Sequence, residues 1–214
     1  MSSNPETLAH ERRPGSLTLL AGVLALDFTN TQSGLGSERH LDHLQTAADL
    51  IAWARHAKIL TMQEAARAQN AVKDSPGLEH QLLAQARALR NIIHDINARV
   101  ASGRHPTPEL LASLTAVHAD TLAVVSLALR NGSYVWRWDA QKNLTAAILG
   151  PVSLSALTLL THHDFSRIKQ CHGDHCGWMF LDTTKNNSRH WCEMKVCGNR
   201  AKIRALRARM QNAY

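Results

Sequence analysis

All four cysteines of this 214-residue chain, Cys171, Cys176, Cys192 and Cys197, fall within one short segment near its C-terminal end. They form two C-x4-C pairs separated by fifteen residues. Three readings compete: disulfide bridges, a reactive thiol, and a metal cage. Bridges need an oxidising compartment, and the opening "MSSNPETLAHERRPGS" lacks the apolar core of a secretory leader. A catalytic cysteine needs one activated sulfur beside a base, which two evenly built pairs match poorly. Two short-spaced pairs can instead supply four thiolates to one tetrahedral ion. Zinc is the favoured reading. Four thiolates close the coordination sphere and leave no position for an activated water, so a single structural Zn2+ is expected. His172, His175 and His190 lie in the same segment and stand as alternative ligands.

The flanking residues say how such a cage is assembled. "FSRIKQC" (165–171) and "CGWMFLD" (176–182) read as strands, "TTKNNSR" (183–189) as a turn, and "CGNRAKIRALRARM" as a helix. A hairpin followed by a helix, with ligands at both junctions, is a treble-clef-like arrangement. Trp178, Phe180 and Trp191 supply a mini-core for a module too small to fold without its metal. The charge points to a partner. The whole chain carries +7, and residues 165–214 hold ten Lys/Arg against three acidic residues, a surplus of seven. The rest of the chain is balanced. In the last helix Ile203, Leu206 and Met210 form an apolar stripe, expected to dock on the module. Arg200, Arg204 and Arg207 recur on another face, beside Lys202. These four residues, with Lys185 and Arg189 from the hairpin, are the expected nucleic-acid contacts, and DNA is the expected partner.

The preceding residues supply an ordinary core: 44% of the chain is hydrophobic. Helical spacing runs through Leu41, Leu44, Ala48, Ile51 and Ala54. Thr61-x-x-Glu64 is a capping box, and Ser75-Pro76 and Thr107-Pro108 are helix starts. Asn131-Gly132 between two β-rich runs predicts a hairpin. The expected fold is α+β, mainly α, with domains 1–165 and 166–214 and a flexible stretch over 1–15. The apolar run 144–160 falls short of a membrane span and is interrupted by Gly150 and Pro151, so it reads as a buried helix with a kink or break. No membrane association and a cytoplasmic location follow. Asp27, Asn30 and Thr31 are polar residues within "LALDFTNT". Either they line a small-molecule effector pocket with Trp53 as a wall, or they form a hydrogen-bond network tying this segment to neighbouring loops. The remaining histidines are scattered. No catalytic residues can be picked out: there is no Ser/His/Asp grouping, phosphate loop or carboxylate pair, so an enzyme seated in the helical domain is the weakest alternative. An RNA-binding or protein-interaction module is the stronger one. A homo-oligomer is compatible with each reading.

The string "CHGDHCGWMFLD" followed by "RHWCEMKVCGNRAK" resembles the CGNR zinc-finger family, whose naming tetrapeptide stands here at Cys197-Gly198-Asn199-Arg200. The upstream "LALDFTNT" (24–31) is similar to the signature of the ABATE domain, which precedes the finger in that family. The resemblance spans nearly the whole chain. It implies a bacterial, stress-induced transcription regulator whose finger binds DNA and whose helical domain senses or transmits a signal. It also implies Cys171, Cys176, Cys192 and Cys197 as the zinc ligands.

Overall fold

The structure, a computed structural model, describes residues 14–211. Residues 1–13 of the stretch expected to be flexible lie outside that range. Pro14 and Gly15 belong to a 3-10 turn, Pro14–Ser16, that packs on a later helix, with Pro14 buried.

The helical region follows local signals closely. Helix α1, Leu24–Thr29, buries Leu26 and Phe28. Two short strands, β1 (Gln32–Ser33) and β2 (Leu41–Asp42), then pair antiparallel. The expected helix through Leu41 starts later, because Thr46 and Asp49 form a reciprocal capping box that sets the first turn of α2, Ala47–His56. Asp42 is thereby left in a strand, where it meets other partners. Thr61 and Glu64 cap α3, Met62–Asp74, in the same reciprocal way. Ser75 and Thr107, each followed by proline, accept backbone N–H bonds and open α4 (Pro76–Ala101) and α5 (Pro108–Thr121). Strands β3 (Val125–Arg130) and β4 (Ser133–Trp138) form the predicted hairpin, turned by Asn131 and Gly132 at φ +50° and +79°.

Helix α6, Leu144–His162, runs unbroken through Pro151. By length and apolarity it could cross a membrane, but half of its most apolar window is buried inside the protein, against α1, α4 and α5. Gly150 lets this helix approach the hairpin closely. A Cβ there would meet the Trp138 indole nitrogen at 2.3 Å, so the ring seats directly on the helix backbone.

The main core gathers Phe28, Leu50, Trp53, Leu89, Ile93 and Ile148 from α1, α2, α4 and α6, with Leu44 from the connection before α2. A second cluster joins Ala21 and Leu26 of the N-terminal part, Val100 of α4 and Leu159 of α6 to the cysteine segment. That segment begins after a 3-10 turn, Phe165–Arg167, with β5 (Ile168–Gln170) and β6 (Met179–Leu181) paired antiparallel. A π-helical turn, Met194–Gly198, leads into α7, Asn199–Gln211. The cysteine module is therefore built onto the helical region through a continuous apolar cluster and is not strung from it by a linker.

Candidate metal centre and basic helix

The four cysteine sulfurs converge. Cys171 directly follows β5, Cys176 closes a tight turn bonded to Gly173, Cys192 precedes the π-helical turn, and Cys197 lies within it. All four ligand atoms lie within 4.8 Å of one another, and no disulfide joins them. The Cys176–Cys192 and Cys192–Cys197 sulfurs are 3.6 Å apart. A bridge needs about 2 Å, whereas a tetrahedron with zinc–sulfur bonds of about 2.3 Å has edges of roughly 3.8 Å. The donor set fits one zinc ion. The backbone N–H groups of Gly173 and Cys192 donate to Cys171 Sγ, at 3.4 and 3.3 Å. Hydrogen bonds from the other three thiols drive the Cys171 thiol far down, while facing that sulfur drives Cys176 and Cys192 far up. Four sulfurs this close cannot all be anionic unless a cation sits among them. The finger holds one structural zinc. His172, His175 and His190 are exposed, and the His172 and His190 rings meet tilted at 45° with centroids 5.2 Å apart.

The loop between the two pairs is held by one buried carboxylate. Asp182 accepts from Lys169 Nζ at 2.7 Å, from the Thr184 hydroxyl at 2.6 Å and from the Thr184 and Arg189 backbone. Burial pushes its acidity down, but the Lys169 ion pair and these donors more than offset that and hold its pKa well below the usual range. Arg189 turns inward. Its guanidinium lies 4.3 Å over the Phe180 ring and donates to the carbonyls of Trp191, Cys192 and Leu20. Arg189 thereby braces the loop, its multidentate donor set meeting carbonyls that the loop leaves without partners.

The last helix also differs from expectation. The stripe Ile203, Leu206 and Met210 does not dock: each is more than half exposed, and α7 buries no residue. The helix is held at its start, through the π-helical turn and an ion pair between Arg204 and Asp174 of the first cysteine turn. Short-range periodicity showed the stripe but could not supply a surface for it. Lys185, Lys195, Lys202, Arg207 and Arg209 are exposed. Lys195 lies on the π-helical turn, outside the regular helical spacing that relates the arginines of α7.

The polar cluster of the N-terminal region is fully engaged. Asn30 Nδ2 donates to the Met179 carbonyl and Asn30 Oδ1 accepts the Met179 N–H, both at 2.8 Å. Leu181 N–H donates to the Ala21 carbonyl at 2.8 Å. Together they occupy the outer edge of β6, which would otherwise be an open strand edge. Asp27 Oδ1 accepts from Ala21 N–H at 2.9 Å and fixes that segment. Thr31 accepts from the buried Arg90, whose guanidinium grips Asp42 at two points, both 2.7 Å. Burial pushes the Asp42 carboxyl up, and the Arg90 pair more than offsets it. Trp53 is fully buried with its ring centroid 4.8 Å from that of Phe28, so it offers no wall to an open pocket. The one sequence signal for Arg90 is its place among Leu82, Ala86, Leu89 and Ile93 on the buried face of α4. Gly34 completes the junction. Its N–H donates to the Cys176 carbonyl at 2.9 Å. Its φ is +64°, and a Cβ would meet the Arg39 carbonyl oxygen at 2.5 Å.

Two known families match this chain. Residues 167–210 match the family model of the CGNR zinc finger. Residues 22–163, two thirds of the chain, match that of ABATE, described as "Putative stress-induced transcription regulator". No protein of curated description matches the chain.

Proposed function

Because the chain belongs to the ABATE family and carries a CGNR zinc finger, we propose that it is a cytoplasmic transcription regulator that binds DNA through the finger and passes a signal from the helical region across the shared junction. The observation that carries this reading is the exposed row of cations on a helix held at one end by the four-sulfur centre. Helix α7 and the turn before it carry Lys195, Arg200, Lys202, Arg204, Arg207 and Arg209, of which only Arg200 is half-buried, and no acidic residue. Cationic side chains on a projecting helix suit the phosphate backbone and, at the helix start, base edges of a major groove.

In this reading Cys171, Cys176, Cys192 and Cys197 hold the zinc, whose charge binds the two knuckles into one rigid base. Arg204, through Asp174, sets the direction in which the helix leaves that base. Lys185, Arg200, Lys202 and Arg207 meet phosphate, joined by Lys195 and Arg209. Arg189 braces the loop that carries Lys185. The N-terminal region acts on the finger through Ala21, Asn30 and Gly34, whose backbone and amide groups bond directly to β6 and to Cys176. Asp27 and Thr31 support those groups from behind. A change in the packing of α1 would thereby move the finger without any contact to the zinc.

One observation favours a second reading, a protein-interaction module: Ile203, Leu206 and Met210 lie open on the same helix. Binding measurements separate the two. Zinc-loaded chain is titrated with duplex DNA pools selected from random sequence, and with structured RNA, over a salt series. The DNA reading expects a sequence preference on duplex and a salt slope that falls by about two in a Lys202→Ala/Arg207→Ala variant of unchanged zinc content. An unchanged slope, or equal binding to every duplex and RNA, overturns it.

A further inference from the structure

The β3–β4 hairpin has two chemically different faces. Direct cross-strand partners Val125–Trp138, Leu127–Trp136 and Leu129–Tyr134 put six apolar or aromatic side chains on one side. Ser126–Arg137, Ala128–Val135 and Arg130–Ser133 make the other side mostly polar, with both arginines. Only the base of the apolar face is covered: Trp138 is buried on α6 and Val125 packs on the core. The two outer rungs stand in water, with Trp136 55%, Leu127 59%, Leu129 67% and Tyr134 74% exposed. A two-stranded hairpin is at best marginally stable by itself, and a contiguous apolar face rimmed by polar residues marks a contact surface.

The uncovered face continues into a groove of about 310 Å³ whose lining includes Trp136, Trp138, Val23, Pro151 and Leu154, with His163 as its one titratable side chain. We propose that this face is a homodimer interface, in which two copies pack their hairpins face to face about a two-fold axis. Two features favour a second copy as the occupant. The apolar face carries no charge, since Arg130 and Arg137 point to the opposite side, so two identical surfaces meet without like-charge repulsion and a charged partner finds nothing to grip. The area also suffices. The four exposed side chains remove roughly 400 Å² per copy from water. The groove walls bring an isologous contact to about 1,000 Å² in total, the lower bound for a specific interface. A hairpin that leans on its twin also gains the third layer it lacks within one chain.

Sedimentation velocity on the zinc-loaded full chain, from about 1 to about 200 µM, tests this over the affinity range such an interface implies. The expected result is a shift with concentration from the 23.6 kDa chain mass to twice that value. A Leu129→Asp/Trp136→Asp variant is expected to stay monomeric throughout, with unchanged zinc content. Should that variant fold poorly, Tyr134→Arg, at the most exposed position, is expected to weaken association at least about tenfold. Ile203→Asp/Leu206→Asp in α7 is expected to leave the dimer intact. A wild-type chain that is monomeric at every concentration, or a dimer lost with the α7 variant but not with the hairpin variants, overturns the proposal. DNA is absent from the assay, so its outcome is independent of nucleic-acid binding.

Discussion

Replacing Asn30 by alanine tests the claim that helical region and finger form one cooperative unit. The native amide makes two hydrogen bonds of 2.8 Å to the N–H and carbonyl of Met179, a residue with no solvent exposure. Alanine leaves both backbone groups buried and unpaired. Each such group costs about 1–3 kcal/mol, so Asn30→Ala is expected to lose about 2–6 kcal/mol. That is a large share of the 5–15 kcal/mol typical of a folded domain. Urea denaturation of the zinc-loaded chain, followed by tryptophan fluorescence and far-UV circular dichroism, reads the loss directly. Asn30→Asp sharpens the test. Its carboxylate can accept the Met179 N–H but faces the Met179 carbonyl, so it must bind a proton to replace the lost donor. Its pKa in the folded chain is thereby raised above the unfolded value, and the deficit should shrink as pH falls through the folded pKa. A loss under about 0.5 kcal/mol for the alanine variant, or a pH-independent deficit for the aspartate, would refute the clamp.

Three other outcomes follow from the geometry. Zinc chelation, or Cys192→Ser, whose sulfur sits 3.6 Å from those of both Cys176 and Cys197, should abolish stoichiometric zinc and melt the β5–β6 region. Metal analysis with hydrogen exchange checks this, and β5–β6 protection that survives without metal would contradict it. Burial raises the Asp27 carboxyl to about 6 from 3.8, against hydrogen bonds from Ala21 and Leu20 that lower it. Between about pH 4 and 6 the folded chain holds a proton that the unfolded chain has lost, so stability falls as pH rises across that window and levels off above it. The gap corresponds to at most about 3 kcal/mol, less after screening by solvent. Asp27→Asn should remove that fall in a denaturation series. Gly34→Ala should cost at least about 1–3 kcal/mol, since it forces a side chain into a left-handed φ and against the Arg39 carbonyl. An unchanged melting temperature would count against the close approach of Gly34 to the Arg39 carbonyl.

Much of this protein is legible one segment at a time. Thr61 with Glu64, Ser75-Pro76, Thr107-Pro108 and Asn131-Gly132 each act within a few residues, so local chemistry alone sets three helix starts and a turn. The cysteine spacing identifies the metal site for a similar reason, because four sulfurs have few other uses at that separation. A hydrogen-bond network was one of the two roles the sequence allowed for the polar N-terminal residues, but their partners were not legible in that way. Asn30 and Met179 lie 149 residues apart in the chain, and no pattern around either one names the other. The same holds for Arg90 with Asp42, for Arg204 with Asp174, and for a stripe in α7 whose periodicity is clear but whose cover is not. Sequence alone determined where helices begin, where the chain turns and which atoms can take the metal. Tertiary structure decided which polar groups are spent inside, which cations stay outside, and which apolar faces remain open, because burial and pairing depend on what the rest of the chain brings alongside.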